Sequence, residues 1–333
     1  MALSELVLGI ESSCDETSAS LVDAGRTVRS CVIASQMEEH RRYGGVVPEI
    51  ASRRHVEAIV PVVEEAMGDV RFEDLYGISA TAGPGLVGAL LVGLSYAKAL
   101  AWSTGKPFVG VNHIEGHIYA NFLGRPDLEP PFLCLTVSGG HTDLTVIEGH
   151  GKYIRMSRTR DDAAGEAFDK VARALKLEYP GGPNLERLAL KGNAFAVKFP
   201  KVAVRDNPLD ISFSGLKTAA VRLAMAATSD EARADIAAGF QKAAVEALAE
   251  RAGEALRITG LKKLAVSGGV AANKALRARC KSLCEEASCE LIIPEAAYCT
   301  DNAAMIASAG YFRLKAGERS ELDANADPSW KAI

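Results

Sequence analysis

No surplus of positive charge runs through this chain: 38 Lys and Arg stand against 42 Asp and Glu, a formal net charge of −4. That excludes a protein basic over its whole surface, so any contact with a phosphate backbone has to be local or shared with partners. A basic n-region is also missing at the start, where Ser4 and Glu5 interrupt the apolar residues, and no signal peptide is expected. Nor is there an uninterrupted membrane span. The most apolar stretch, 85–102, carries Ser95, Tyr96 and Lys98, and four glycines lie from Gly83 to Gly93, which reads as a tightly packed buried helix. Cysteine is present without a disulfide or zinc-finger pattern. Seven is an odd number, and Cys280, Cys284 and Cys289 are spaced C-x3-C-x4-C, so they read as reduced thiols of a cytoplasmic protein. Local basic spots (Arg41 with Arg42, Arg53-Arg54-His55, 155–160, and Lys198 with Lys201 and Arg205) read as solvated faces.

What is present suits a two-domain α/β protein. At 333 residues there is length for two cores, and 48% hydrophobic with 24% charged residues is ordinary globular composition. Residues 5–11 form an apolar strand ending in the polar turn Glu11-Ser12-Ser13-Cys14-Asp15-Glu16-Thr17, with a return strand at 19–22. The pattern recurs at Phe132–Val137, followed by Ser138-Gly139-Gly140-His141 and a strand at 144–147. A third strand, 263–266, ends in Ser267-Gly268-Gly269 and opens a helix from Asn273. Such turns leave backbone N–H groups where an anion can sit. Helices are expected at 46–67, 86–102, 161–175, 230–258 and 302–315 from alanine content and apolar spacing, and strands at 78–81 and 109–111. The proline-rich 125–131 stretch reads as a linker, and the end from Arg319 as a loose tail.

His113-Ile114-Glu115-Gly116-His117 carries the sharpest chemical signal. Histidines at i and i+4 share one helix face and can reach one metal ion, and Asp301, beside the start of the last helix, offers a hard oxygen ligand. Two imidazoles, a carboxylate and open positions suit a catalytic metal. A zincin or inverzincin peptidase needs its glutamate at another position; Glu115 is at i+2, turned away from the histidine face.

The chain resembles the TsaD family, the tRNA N6-adenosine threonylcarbamoyltransferases, over nearly its whole length. The stretches that carry this are LGIESSCDETSASLVD (8–23), GGVVPEIASRRHVE (44–57), TAGPGLVGALLVGLSYAKALA (81–101), VNHIEGHIYA (111–120), VSGGHTDL (137–144), DDAAGEAFDKVAR (161–173), YPGGPNLERLA (179–189), SFSGLKTA (212–219), SGGVAANKALR (267–277) and CTDNAAMIA (299–307). The resemblance implies a two-lobed actin/Hsp70-like (ASKHA) fold with the ligand cleft between lobes. The lobes would be 1–128, with 301–333 packing on it, and 129–300. It implies one divalent metal per subunit, Fe2+ with Zn2+ as the alternative, on His113, His117 and Asp301. Thr136, Val137, Ser138, Gly139 and Gly140 would line the site beside metal and phosphate, and Asp169, Gly182, Glu186 and Asn273 would hold the adenosine part. Relatives from archaea and eukaryotes carry a tyrosine metal ligand where this chain has Thr136, which is not counted as a ligand.

The implied reaction is transfer of threonylcarbamoyl from L-threonylcarbamoyl-AMP to N6 of adenosine 37 in tRNAs reading codons that begin with A. That amine is a poor nucleophile, so the donor carbonyl has to be polarised and the departing AMP stabilised. Asp15 or Glu16 could accept the N6 proton, or either could simply cap the turn. Asp161 and Asp162 read as helix-opening carboxylates, whereas Asp169 lies too deep in that helix for capping to explain it. The resemblance also implies a synthase that makes the donor, an inactive TsaB-like paralogue as heterodimer partner and a small TsaE-like P-loop ATPase, all in the cytoplasm with no membrane. Two other readings are a small-molecule kinase or carbamoyltransferase of the same fold, which would not need the HxxxH–Asp set, and a non-catalytic scaffold, which would be expected to have lost it.

Overall fold

The first strand, β1 (Leu6–Glu11), is buried along its whole length. Both faces of its sheet are covered, which is why its apolar run does not alternate. Leu8 and Ile10 join a core with Ile59, Val62 and Val63 of the helix Pro48–Met67 and Leu94 and Ala97 of the helix Val87–Thr104. Gly9 meets the other layer, where a Cβ would stand 2.3 Å from the Ala303 carbonyl oxygen and 2.6 Å from Ala307 N. Only a hydrogen lets the helix Ala303–Lys315 lie so close to the strand. From β1 the chain makes an antiparallel meander through β2 (Glu16–Asp23) and β3 (Thr27–Ser35). It then adds β4 (Gly77–Gly83) and β5 (Phe108–Asn112) as parallel neighbours, in the order β3-β2-β1-β4-β5.

A second sheet repeats this plan. β6 (Phe132–Val137), β7 (Thr142–Gly149) and β8 (Lys152–Arg158) form the meander, and β9 (Lys263–Ser267) and β10 (Glu290–Ile292) are the parallel additions, in the order β10-β9-β6-β7-β8. The computed structural model describes residues 5–201, 204 and 207–331, so Ser4 and Arg205 lie outside the described residues. The chain divides into Met1–Glu129 with Pro294–Ile333, and Pro130–Ile293. In each sheet the parallel strands end on one edge, the edge at which open α/β sheets hold ligands.

Several sequence expectations are corrected. The helix at 86–102 is not a buried one: Ala89, Leu90, Gly93, Leu94, Ala97 and Ala101 are buried, but Val87, Leu91 and Trp102 are exposed, Trp102 at 76%. By length and composition it passes as a membrane span, yet its buried residues recur at helical spacing against the sheet. The end from Arg319 is not loose. Ser320 N donates to Phe108 O (2.8 Å), Asp327 N to Ala82 O (2.8 Å) and Lys98 Nζ to Ala324 O (2.8 Å), so an extended segment without a composition signal is tied to the strand ends. The basic spots are largely spoken for. Arg54 pairs with Glu39 and Glu57 at 2.6 Å each, and His55 is buried between Thr17 and Cys14. Arg155 and Arg158 sit on the edge strand β8, where charge discourages further pairing.

Candidate functional site

β5 ends at Asn112, whose side-chain oxygen accepts from Ile114 N (2.8 Å) and caps the helix His113–Tyr119. That cap fixes where the histidine face points. Gly116, with a Cβ position 2.7 Å from Ile306 Cδ1, lets this helix close on Ala303–Lys315. Asn302, not Asp301, caps that second helix, accepting from Met305 N at 3.1 Å, and leaves the carboxylate of Asp301 just outside the first turn. As a result Asp301 Oδ1 lies 3.5 Å from His113 Nε2 and 3.4 Å from His117 Nε2, and the three ligand atoms fall within 4.8 Å of one another. The two imidazoles meet edge to face with centroids 4.7 Å apart.

The donor chemistry fits a metal. His117 is fully buried, and neither of its ring nitrogens makes a hydrogen bond to a described residue. An unsatisfied buried imidazole is costly unless something else takes its lone pair. Burial pushes His117 below the usual histidine value, towards the neutral form that a metal needs. Burial also acts to lower His113, but Asp301 and Glu11 outweigh it and hold that ring well above its usual value. Against burial, the same two histidines hold Asp301 ionised. Glu115 is engaged elsewhere, 3.3 Å from Arg313 Nη1, away from the histidine face.

Sequence reasoning named the Glu11–Thr17 turn but missed what Glu11 does. Its Oε2 accepts from Thr81 Oγ1 (2.6 Å) and lies 3.1 Å from His113 Nδ1, while Oε1 accepts from Ser13 N (2.5 Å). The available signal was a carboxylate ending a strand with no exposed residue. Asp15 follows on the same turn, and Glu16 opens β2. Burial, with the neighbouring Asp301 charge, raises Asp15. Burial also pushes Glu16 up to about 8, against the Ser35 hydroxyl that donates to its Oε1 (2.8 Å); its Oε2 is buried without a partner.

The remaining candidates belong to the second unit. Parallel pairing sets Thr136 beside Ser267, so two Ser-Gly-Gly turns leave adjacent strand ends together. Gly268, at φ +89°, approaches the Val137 carbonyl so closely that a Cβ would be 2.4 Å from it. The carbonyls of Ser138 and Gly139 accept from Gly165 N (3.1 Å) and Glu166 N (3.2 Å), which pins the turn to the start of the helix Ala164–Ala174. Gly139 and Gly140 are exposed, and no atom of the described residues lies within 4 Å of a Cβ on either. Thr136 Oγ1 is 3.3 Å from Ser267 Oγ.

Asp169 does cap a helix, though not its own: its Oδ1 accepts from Gly181 N (3.0 Å) and Gly182 N (3.2 Å) at the start of Gly181–Ala189. Glu186 Oε1 accepts from Lys274 N (2.6 Å), and Asn273 caps Lys274–Ala287 while donating to Gln241 (2.9 Å). These residues gather round two helix starts, with one oxygen of each carboxylate not engaged in those caps. Asp161 and Asp162 precede the helix that begins at Ala164. They hold the Ser212-Phe213-Ser214-Gly215-Leu216-Lys217 motif instead: Asp161 accepts from Ser212 Oγ and from Phe213 N (2.8 Å), and Asp162 pairs with Lys217 and with Lys170 (2.8 Å).

Two sheets of one plan, each with parallel strand ends bearing polar turns, define an α/β protein of the actin/Hsp70-like class. Solved structures agree on the fold. HypF from T. kodakarensis superposes with a TM-score of 0.65 at 17% identity, covering 93% of this chain and 48% of that one. The (R)-2-hydroxyglutaryl-CoA dehydratase component A of Acidaminococcus fermentans gives 0.56 at 15%, covering 94% and 99%. Sequence comparison goes further. The profile of the TsaD family, tRNA N6-adenosine threonylcarbamoyltransferase, matches residues 27–308. The protein of that name from Clostridium perfringens is 53% identical over 330 residues (98% of this chain, 97% of the relative), and that from Symbiobacterium thermophilum is 54% identical over 327 residues (97% and 96%). The chain belongs to the TsaD family of tRNA-modifying transferases.

Proposed function

We propose that this enzyme transfers threonylcarbamoyl from L-threonylcarbamoyl-AMP to N6 of adenosine 37, in tRNAs reading codons that begin with A, with release of AMP. Membership of the family supports the reaction class; the observation that carries the site is the His113–His117–Asp301 set, with both histidines buried and one imidazole unsatisfied among the described residues. His113, His117 and Asp301 would hold one divalent metal, Fe2+ on this reading with Zn2+ as the alternative. Bound there, it supplies Lewis-acid polarisation of donor oxygens. The 138–140 turn offers backbone N–H groups to the phosphate of the departing AMP, and the carbonyl bonds to Gly165 and Glu166 keep that turn from reorganising. Asp169, Gly182, Glu186 and Asn273 would hold the adenosine part, with the uncommitted oxygens of Asp169 and Glu186 as hydroxyl acceptors. Asp15 or Glu16 would take the N6 proton, with Glu16, whose Oε2 meets no described residue, as our first choice.

A cytoplasmic setting follows from the substrate. For partners we propose a TsaB-like paralogue, a TsaE-like ATPase and a donor synthase. Exposed Val56 and Val60, from one helix, and Val87 and Leu91, from another that packs on it, offer an apolar face for the paralogue. The donor and acceptor are tested with labelled threonylcarbamoyl-AMP and two transcripts of one ANN-decoding tRNA, native and with guanosine at position 37. Label on the native transcript alone, with one AMP released per transfer, is expected. Equal labelling of both would overturn the acceptor assignment.

A further inference from the structure

We infer that Glu11 is a positioning residue of the metal centre: it accepts the Nδ1–H of His113 and so leaves Nε2, on the Asp301 side, as the atom that would bind the metal. This rests on the reading of His113, His117 and Asp301 as metal ligands. The support is geometric. Glu11 is fully buried at the end of β1, and the polar groups met by its oxygens are Thr81 Oγ1 at 2.6 Å, Ser13 N at 2.5 Å and the His113 ring at 3.1 Å. Burying a carboxylate is costly, and this one is matched by donors from β4, from its own turn and from the helix that carries the ligands. Thr81 and Ser13 hold the carboxylate still, so the third contact orients the ring.

Ser13 Oγ is also 3.1 Å from His113 Nδ1, which leaves that nitrogen enclosed on the protein side and gives Nε2 the open side, 3.5 Å from Asp301. Nothing equivalent holds His117 among the described residues, where its Nδ1 meets no partner. The centre is therefore asymmetric at Nδ1: a carboxylate faces that nitrogen of His113 and no described residue faces that of His117. Glutamine at position 11 cannot reproduce the arrangement. Its oxygen is wanted by Ser13 N–H on one side and by His113 Nδ1–H on the other, so its NH2 group must face one of these donors or force the ring into the wrong tautomer.

The test is metal affinity of the full chain, by competition of Zn2+, and of Fe2+ without oxygen, against a chromophoric chelator. Wild type, Glu11→Gln and Glu11→Asp are compared, each with its metal-free melting temperature. Loss of an outer carboxylate partner of a metal-bound histidine typically weakens binding about 10- to 100-fold, and that loss is expected for Glu11→Gln, with a smaller one for Glu11→Asp. A readout that needs no variant is the 15N imidazole spectrum of zinc-loaded wild type, expected to show His113 protonated at Nδ1 and metal-bound at Nε2. Metal bound by wild type with unchanged affinity in folded Glu11→Gln, or a His113 bound through Nδ1, overturns this inference alone. No metal on wild type overturns the metal reading and this inference with it.

Discussion

Replacing Gly139 by alanine separates stability from ligand binding. A Cβ at Gly139 meets no heavy atom within 4 Å, and its φ lies outside the left-handed region. Folding therefore gives no reason for glycine there. Alanine should stabilise by about 0.4–1 kcal/mol through the unfolded chain, a rise in melting temperature of under about 3 °C for a chain this long. On the proposed reading, however, the methyl occupies the space from which a phosphate approaches the turn. Losing two charge-assisted hydrogen bonds at about 1.5–3 kcal/mol each lowers kcat/KM by about 10^2- to 10^4-fold. Gly165→Ala is the contrasting control: its methyl would stand 2.7 Å from Ser138 O and 2.8 Å from Gly139 Cα, so stability should fall as well, by about 1–3 kcal/mol. Scanning fluorimetry and single-turnover transfer from preformed donor measure both quantities. Gly139→Ala with wild-type kcat/KM would refute the phosphate role of the turn. A melting temperature lowered by more than about 5 °C would refute the claim that the space is open.

Further outcomes are expected at three residues. Asp301→Asn keeps the size of the side chain but removes the charge facing both histidines, so metal measured by atomic emission should fall below a tenth of the wild-type content; full retention would remove Asp301 from the ligand set. Gly9→Ala drives a methyl into the backbone of Ala303 and Ala307, neither of which can rotate away, so a loss of about 3 kcal/mol is expected; a melting temperature within about 1 °C of wild type would contradict the packing described. Glu16, pushed up to about 8 in the metal-free protein, must lose its proton to act as a base, so kcat/KM should rise with pH, and Glu16→Gln should flatten that limb. The same raised value means that the folded protein keeps a proton which the unfolded chain releases near 4.5. Stability of the metal-free protein should therefore decline as pH climbs from there through 8, and Glu16→Gln should show a shallower decline, the remainder coming from the other raised carboxylates such as Asp143.

Legibility in the sequence followed burial. β6 could be read with both ends correct because it is a continuous apolar run between a proline pair and a glycine pair. β3 is hard to read because exposed Thr27, Arg29, Ile33 and Ser35 and the inward Ser30 interrupt its apolar positions, although Val32 and Ala34 pack on the core. β8, rich in Lys and Arg, reads from sequence as a solvated basic spot because it is also an edge strand. The histidine pair and Asp301 were legible one by one, since helix periodicity puts His113 and His117 on one face. Their meeting depends on the chain returning to β1 after the whole second sheet, and no local pattern encodes that return. Glu11 was visible as a polar strand end, but its bond to His113 joins residues far apart in sequence. Asp169 was singled out because its own helix could not explain it; the explanation was the next helix, whose first two N–H groups it caps.

The most direct test of the account is transfer of labelled threonylcarbamoyl from preformed donor to an ANN-decoding tRNA, comparing wild type with His113→Ala. The proposed partners are present, and metal is measured on both proteins. The account predicts transfer and about one metal per chain for wild type, with both lost together in His113→Ala. Transfer that persists in a metal-free His113→Ala protein would contradict it.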